Sequence, residues 1–481
     1  MIPEEVVSVV KELEKHGFEA YVVGGCVRDL LLEKEPWDWD VATSATPEQI
    51  QSIFPDSFYE NKFFTVTVKT GSSNPRLKEI EITTYRAEFE YADRRRPGKV
   101  EYAKNIEEDL SRRDFTINAV ALGLKHEVVD PFHGQEDLKD KIIRAVGDAD
   151  QRFQEDALRM MRAVRFFAAL GFGVEQKTRA AIQKNSRLLK EISEERIRDE
   201  FSKIVMSGRP MEAIEELREL GLLQYIIPEL EQGYGVTQNK HHIYTVWEHN
   251  LRSLQYAAEK NFSFEVRLAS LLHDIGKPKT KGGEGPDATF YGHQVVGARM
   301  ARKILERLHF SKEIIEKIVL LVREHMFVYD PDTVTLRGVR RLVARVGPEH
   351  MEELFQLREA DRIGSGVPKA QPYRLRHLKA MVEKVKQDPI SPKMLAINGN
   401  DAMQILQIEP GPKVGAILAV LLEEVLDDPK RNAKEYLENR TQELGKMSDA
   451  QLQQIAANAK KSAQQAQDRI DEEIKKKYFV N

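Results

Sequence analysis

The sequence predicts an α+β protein in which a small mixed-sheet head is followed by an all-α body. Three observations carry this expectation. Two runs alternate with period two, Phe64-Thr-Val-Thr-Val68 and Ile80-Glu-Ile-Thr-Thr84, and with the apolar Val22-Val23 they supply strands to the N-terminal part. From residue 149 onward the pattern is helical. The 481 residues, 41% hydrophobic and 31% charged, describe a soluble, mostly helical chain too long for one core, so about two to four domains are expected.

Composition excludes several classes. No apolar run approaches the ~20 residues of a membrane span, and the N-terminus lacks a signal-peptide pattern, so no membrane partner is expected. The single cysteine, Cys26, excludes a disulfide framework and fits the cytosol. A net charge of −4 does not advertise nucleic-acid binding, but a local basic surface suffices for phosphate contacts. Local clusters are Arg94-Arg95-Arg96 with Lys99, Arg112-Arg113, and Arg337, Arg340, Arg341 and Arg345. Each alone reads more readily as a solvated face than as a binding patch.

Residues 4–16 read as a helix, since Val6, Val7, Val10 and Leu13 fall near helical spacing. A short buried strand at 20–23 stops at Gly24-Gly25, where a backbone without Cβ atoms can approach a phosphate and present N–H groups to it. Arg28 follows as a fixed cation. Asp38 and Asp40, in Trp37-Asp-Trp-Asp40, are alternate residues of the next strand and are expected to project together, ~7 Å apart along the chain. Two such carboxylates can share a pair of divalent ions ~3.5–4 Å apart, one activating an attacking hydroxyl and the other stabilising a leaving oxyanion. A Gly-Gly turn alone is usually only a turn, and a lone Asp-x-Asp is usually a solvated strand end. The ordered set is more specific, and it makes a candidate nucleotidyl-transfer centre.

Pro47 opens a helical stretch that reaches Phe54, and the two alternating strands are joined by the turn-rich Gly71-Ser-Ser-Asn-Pro75. Glu88 to Lys104, carrying Arg94-Arg-Arg-Pro-Gly98, has no clear period and reads as a mobile basic loop. In Leu110-Ser-Arg-Arg-Asp-Phe-Thr-Ile-Asn-Ala119, Arg113 can meet phosphate or ribose, and Asp114 and Asn118 can take hydroxyls. The plain alternative is a surface Arg–Asp pair worth about 0–1 kcal/mol.

Glu155-Asp-Ala-Leu-Arg159 opens a strongly helical stretch, so Asp156 and Arg159 are expected on one helix face, extended by Arg162. A carboxylate accepts from the exocyclic amine of cytosine or adenine, while a guanidinium donates to the ring nitrogen or carbonyl beside it. Such a pair accepts C and A and rejects U and G, although in an isolated helix it would be only an ion pair worth about 0.2–0.5 kcal/mol. Residues 176–232 are helical, with Ser193-Glu-Glu-Arg196 a capping-box-like start.

Seven of the twelve histidines lie between 241 and 325, a density that core packing does not require. His249 sits on a helix, His273-Asp274 ends the apolar run Leu268–Leu272, and Asp361 lies in Arg358-Glu-Ala-Asp-Arg362. Imidazoles and carboxylates from several helices of a bundle can hold a divalent ion and a polarised water.

The order Gly-Gly-x-Val-Arg-Asp and then Asp-x-Asp resembles the head of the DNA polymerase β-like nucleotidyltransferases. The likeness is in particular to the bacterial class II tRNA nucleotidyltransferase (CCA-adding enzyme) and poly(A) polymerase family. It continues through Leu110–Ala119, the Glu-Asp-x-x-Arg at 155–159, Glu195–Phe201, Leu395–Asp401 and Glu409–Gly415, covering about 10–440. The resemblance implies that Asp38 and Asp40 are catalytic and bind Mg²⁺, and that Gly24, Gly25 and Arg28 hold the triphosphate. It further implies that Arg113, Asp114, Asn118, Asp156, Arg159, Arg162 and Arg165 complete the site for CTP and ATP, with tRNA as the other substrate. One departure is Phe64, where the family usually has glycine. Family members that add only the two cytidines look shortened at Glu88–Lys104, and this chain does not.

The histidine-rich region resembles the HD phosphohydrolase domain. That implies His249, His273, Asp274 and Asp361 as ligands of a transition metal (Ni, Mn or Co), with His293 and His325 able to hold a second metal or a phosphate. The implied layout is a nucleotidyltransferase head at 1–148, a base-recognising helical neck at 149–235, an HD domain at 236–366, a helical tRNA-binding tail at 367–445 and a polar helical extension at 446–481. Three rivals stay open: an enzyme that adds only the terminal A beside a separate CC-adding partner, a poly(A) polymerase, and an HD phosphohydrolase whose head only binds RNA. A cytoplasmic location is expected, and the oligomeric state is not legible.

Overall fold

A computed structural model describes residues 1–60, 65–91, 97–125, 127–239, 243–327, 329–385, 388–448, 450–452 and 454–455. They fall into two compact units, 1–232 with 304–311, and 233–303 with 312 onward.

The first unit opens with α1 (Glu4–Lys15), β1 (Ala20–Val23), α2 (Gly25–Leu31), β2 (Asp40–Thr43), α3 (Pro47–Ile53), β3 (Ser57–Glu60), β4 (Thr65–Lys69) and β5 (Glu79–Thr84). It continues with β6 (Arg86–Tyr91), β7 (Pro97–Tyr102), α4 (Ile106–Ser111), β8 (Ala121–Leu122) and β9 (Val128–Val129). Seven strands make one mixed sheet in the order β3-β4-β5-β2-β1-β8-β9. Strand β2 runs antiparallel to β1, with Val23 opposite Asp40, and parallel to β5, with Asp40 opposite Glu81. Both faces are covered. Val22, Val41, Ile80 and Ile82 pack with Val6, Val10, Leu13 and Ile50 on one side, and Val23 and Ala42 pack with Tyr85, Leu110 and Ala119 on the other. Alternate residues of one strand therefore serve two apolar layers, which is why β1 and β2 read as continuous apolar runs.

Two expectations need correction here. The segment from Glu88 to Lys104 is not a structureless loop, because β6 and β7 pair antiparallel from Arg86 opposite Tyr102 to Tyr91 opposite Pro97. Its Arg94-Arg95-Arg96 lies outside the described residues, as does Phe64. Asp38 is not part of a strand either. The ladder with β1 ends at the Val23–Asp40 pair, so Asp38 sits in a bend just before β2.

The rest of the first unit is helical: α5 (Gly134–Asp140), α6 (Ala149–Glu155), α7 (Leu158–Leu170), α8 (Gln176–Asn185), α9 (Glu194–Val205), α10 (Pro210–Glu219) and α11 (Pro228–Glu231), with two short strands at Ile142–Ile143 and Gly173–Val174. The helix expected through Asp156 is broken. Asp156 has extended backbone, and its Oδ1 accepts from Leu158 N at 3.0 Å, which caps the start of α7 rather than continuing α6. Ser193 precedes α9 but makes no side-chain cap hydrogen bond, so the expected capping box does not form.

The second unit contains α12 (Val246–Glu259), α13 (Phe264–Leu272), α14 (Lys277–Thr280), most of α15 (His293–Arg307), α16 (Lys312–Glu324), α17 (Leu336–Val346), α18 (Met351–Gly364), α19 (Tyr373–Val385), α20 (Gly399–Leu406), α21 (Pro412–Asp427) and α22 (Lys434–Gly445). The arginines of α17 do not form an open basic patch. Arg340 meets Asp388 at 2.6 Å, Arg337 and Arg341 meet Asp427 at 2.5 and 2.9 Å, and Arg345 meets Glu324 at 2.6 Å. Ile417, Leu421 and Val425 of α21 form a separate core with Leu437 and Leu444 of α22. Most of the 446–481 extension lies outside the described residues. No described helix is long and apolar enough to cross a membrane.

Candidate active site

The site in the first unit begins at the end of β1. Gly24 has φ +79°, and a Cβ added to it would lie 3.0 Å from Arg113 Nη1 and 3.4 Å from Asp40 Oδ2. Only glycine fits both this backbone and this closeness. Antiparallel pairing of Val23 with Asp40 brings the turn to the carboxylate, and the Leu110–Ala119 segment brings Arg113.

Three carboxylates influence one another here. Burial, then the charges of Asp38 and Glu81, push the Asp40 carboxyl up to about 7, with Arg113 opposing. A cluster of hard oxygen donors with this much uncompensated negative charge fits a divalent cation.

Around it runs a chain of cations and their anchors. Arg28 Nη1 donates to Asn118 Oδ1 at 2.9 Å, Asn118 Nδ2 donates to Asp114 Oδ1 at 3.2 Å, and Arg162 Nε donates to Asp114 Oδ2 at 2.6 Å. Asp114 and Asn118 are buried and engaged with these partners, which makes them anchors for guanidinium groups rather than open hydroxyl receivers. Burial would raise the Asp114 carboxyl, but Arg162 and Asn118 outweigh it and hold the group below the usual range. The guanidiniums of Arg28, Arg162 and Arg165 lie 5.3, 5.7 and 4.6 Å from the Phe166 ring, so one aromatic side chain of α7 gathers three cations.

The side chains of Asp156 and Arg159 do not pair with each other, although Arg159 N–H donates to the Asp156 carbonyl at 3.1 Å. Asp156 Oδ2 accepts from Arg196 at 2.7 Å, and Arg159 donates to Glu155 at 2.7 Å and to the Arg112 carbonyl at 2.9 Å. Arg165 faces Glu200 at 3.1 Å. Arg196 and Glu200 both belong to the Glu195–Phe201 segment of α9, whose part here is to fix the two preceding motif residues.

The second unit holds a separate cluster. His249 of α12, His273 after α13, and Asp361 of α18 surround Asp274. His249 and His273 Nε2 lie 2.9 Å apart and 3.1 and 3.4 Å from Asp274 Oδ2, and Asp361 Oδ1 is 3.4 Å from His249. On the other oxygen, His293 and His325 Nε2 lie 3.2 and 3.7 Å from Asp274 Oδ1. Lys277 completes the surroundings, 2.5 Å from Oδ2.

The tautomers follow from the backbone. Nδ1 of His273, His293 and His325 contacts the carbonyls of Ser270, Phe290 and Val322 at 2.7–2.8 Å, and a carbonyl only accepts. Each Nδ1 therefore carries a proton, which leaves Nε2 as the ring atom that would coordinate a metal. Among the described residues, Asp274 Oδ1 is buried without a hydrogen-bond partner. His249, His273 and Asp274 form one group able to hold a metal ion, and Asp274, His293 and His325 form another.

Family profiles match the chain in series: the poly(A) polymerase head domain over residues 20–144, the probable RNA- and SrmB-binding site of polymerase A over 171–233, and the HD domain over 246–364. A CCA-adding enzyme of Lactobacillus delbrueckii subsp. bulgaricus is 50% identical over 219 residues, a match covering 45% of this chain and only about half (54%) of that relative's length. The CCA-adding enzyme of Enterococcus faecalis is 32% identical over 442 residues, 90% of this chain and 94% of the relative. The chain belongs to the CCA-adding enzyme family.

The solved structure of the Bacillus stearothermophilus CCA-adding enzyme in complex with CTP is 29% identical, with a TM-score of 0.68 over 92% of this chain and 98% of that one. Within the family fold, the structure brings together Gly24, Gly25, Arg28, Asp40, Arg113, Asp114, Asn118 and Arg162, with Asp38 beside Asp40. Sequence reasoning missed Glu81, which needs the parallel β2–β5 register to be found, and Phe166, which reads as an ordinary core aromatic.

Replacing Gly24 by alanine tests the crowding. Gly17 has φ +85° with nothing within 4 Å of an added Cβ, so Gly17→Ala carries backbone strain alone. Both variants are expected to lose about 1–3 kcal/mol of stability in denaturant titrations. Only Gly24→Ala should also lose nucleotide incorporation, by at least ~10-fold, an extra barrier of about 1.4 kcal/mol.

Proposed function

We propose that this protein is a template-independent tRNA nucleotidyltransferase that adds or repairs the 3′-terminal CCA of tRNA from CTP and ATP. The observation that carries the reading is the convergence of Gly24, Asp40 and Arg113, with Glu81 opposite Asp40 and with Arg28 and Arg162 linked through Asn118 and Asp114. The tRNA 3′-oxygen attacks the α-phosphorus, the bond to the β-phosphate oxygen breaks, and pyrophosphate leaves. Asp38 and Asp40, supported by Glu81, would hold Mg²⁺, which when bound supplies charge stabilisation to the attacking and leaving oxygens. Gly24 leaves room for phosphate oxygens, and Arg28, Arg113, Arg162 and Arg165 offset their charge.

Asp156 and Arg159 read the base. Arg196 and Glu155 hold them at fixed angles while each retains hydrogen-bonding capacity beyond those contacts. In this layout residues 1–148 catalyse, 149–235 recognise the base and 367–445 contact tRNA. A tRNA substrate and a single buried thiol, Cys26, suit the cytoplasm.

The experiment is incubation of the purified protein and Mg²⁺ with tRNA lacking CCA, lacking CA, or lacking only the terminal A, with each nucleotide alone. CMP should join the first two and AMP the third, with UTP and GTP refused. AMP addition without CMP addition would identify an A-adding enzyme, and repeated AMP addition a poly(A) polymerase. No incorporation at all would contradict the reading, as would full activity in Asp40→Ala.

The second unit supports an additional activity, and the convergence of four histidine Nε2 atoms on Asp274 is the observation in its favour. His249, His273, Asp274 and Asp361 would hold one transition metal (Ni, Mn or Co), and Asp274, His293 and His325 a second. Bound metal would supply a polarised water to a 2′,3′-cyclic phosphate or a simple phosphomonoester. Metal analysis after loading with Ni²⁺, Mn²⁺ or Co²⁺ should show less metal in His273→Ala than in wild type. Equal content in the two proteins would make these histidines structural.

A further inference from the structure

One aromatic side chain beside the catalytic carboxylates has no partner in the core. Of the three tryptophans, Trp39 and Trp247 are buried, whereas Trp37 is 72% exposed. It stands between buried Pro36 and buried Trp39, immediately before Asp38. The Arg76 guanidinium lies over its ring, 4.7 Å from the centroid, and meets Glu35 at 2.8 Å.

Arg76 is carried on a stiff turn. Its N–H donates to Asn74 Oδ1, Asn74 N–H donates to Ser72 Oγ, Ser72 Oγ donates to Glu5 of α1, and Thr70 Oγ1 donates to the Leu77 carbonyl. The indole is thus held from one side by an anchored cation, while most of its surface stays in water. Single exposed apolar residues are common, but one that is clamped in place and adjacent to a catalytic carboxylate is a preformed stacking surface.

We propose that Trp37 is a platform on which an unpaired base near the 3′ end of the acceptor RNA stacks. The inference rests on the reading that Asp38 and Asp40 receive the 3′-hydroxyl. Neighbouring Cα atoms are ~3.8 Å apart, and a nucleotide advances a strand by ~3.4 Å, so a base one or two nucleotides behind the reacting end comes within reach of the ring. The incoming base has its own readers in Asp156 and Arg159, which leaves the acceptor strand as the occupant. Stacking on an aromatic face tolerates every base, which suits an acceptor whose last nucleotide changes with each addition.

Trp37 is also its own reporter, since the other two tryptophans are buried. RNA ending in CC, added to the wild-type protein with Mg²⁺, should quench its emission and protect it from acrylamide. The same RNA should leave the emission of Trp37→Ala unchanged. In steady-state assays, Trp37→Ala should raise KM for the RNA about tenfold, and Trp37→Phe should raise it less than about twofold because a ring remains. KM for ATP should move less than about twofold in both, a split that a folding defect would not produce. Wild-type tryptophan as accessible to acrylamide with RNA bound as without it, or an unchanged KM for RNA in Trp37→Ala, would overturn the platform. Wild-type protein that incorporates nothing contradicts the nucleotidyl-transfer reading instead; the protection measurement needs no incorporation and judges the platform by itself.

Discussion

The arrangement of the first unit depends on a repulsion. Asp40 and Glu81 are brought together by the ladder that pairs β2 with β5, Asp38 lies in the bend just before β2, and burial and the two neighbouring charges raise the Asp40 carboxyl. Like charges in a poorly solvated place cost free energy unless a cation offsets them. The sheet tolerates the strain because both of its faces are packed with apolar side chains that fix the register. A one-residue slip would exchange its two apolar layers and separate the carboxylates.

The same economy appears in the supporting cations. Arg28 and Arg162 are distant in sequence, yet Asn118 and Asp114 join them through three hydrogen bonds, and Phe166 lies under both together with Arg165. Guanidiniums held this way lose little freedom when an anion arrives, which is the physical meaning of preorganisation. The second unit solves a related problem with softer donors. Backbone carbonyls engage Nδ1 of three of the histidines, so their Nε2 atoms are turned toward the carboxylate oxygens of Asp274.

Much of this was legible in the sequence, and the exceptions have physical reasons. Period-two runs marked β4 and β5, and glycine followed by spaced carboxylates marked the centre, because local pattern determines both. Arg-Ala-Glu-Phe-Glu-Tyr at 86–91 also alternates, but the neighbouring Arg94-Arg-Arg-Pro-Gly98 carries loop residues, and the hairpin read as a loop. The break at Asp156 was hidden because aspartate is tolerated in helices; its side chain caps α7 and reaches Arg196, forty residues on, a contact that only tertiary structure supplies. The α17 arginines looked like a basic cluster for the same reason, their carboxylate partners being remote in sequence.

On the proposed function, Asp38 and Asp40, at the start of β2 beside the end of β1, hold a divalent cation against a nucleotide. Electron paramagnetic resonance of Mn²⁺ titrated into the full chain, with and without a CTP analogue that cannot be transferred, measures this without requiring turnover. Nucleotide-dependent Mn²⁺ binding is expected in the wild-type protein and is lost in Asp40→Asn, while nucleotide-independent binding at the histidine cluster persists in both. Nucleotide-dependent Mn²⁺ binding of equal strength in wild type and Asp40→Asn would contradict it.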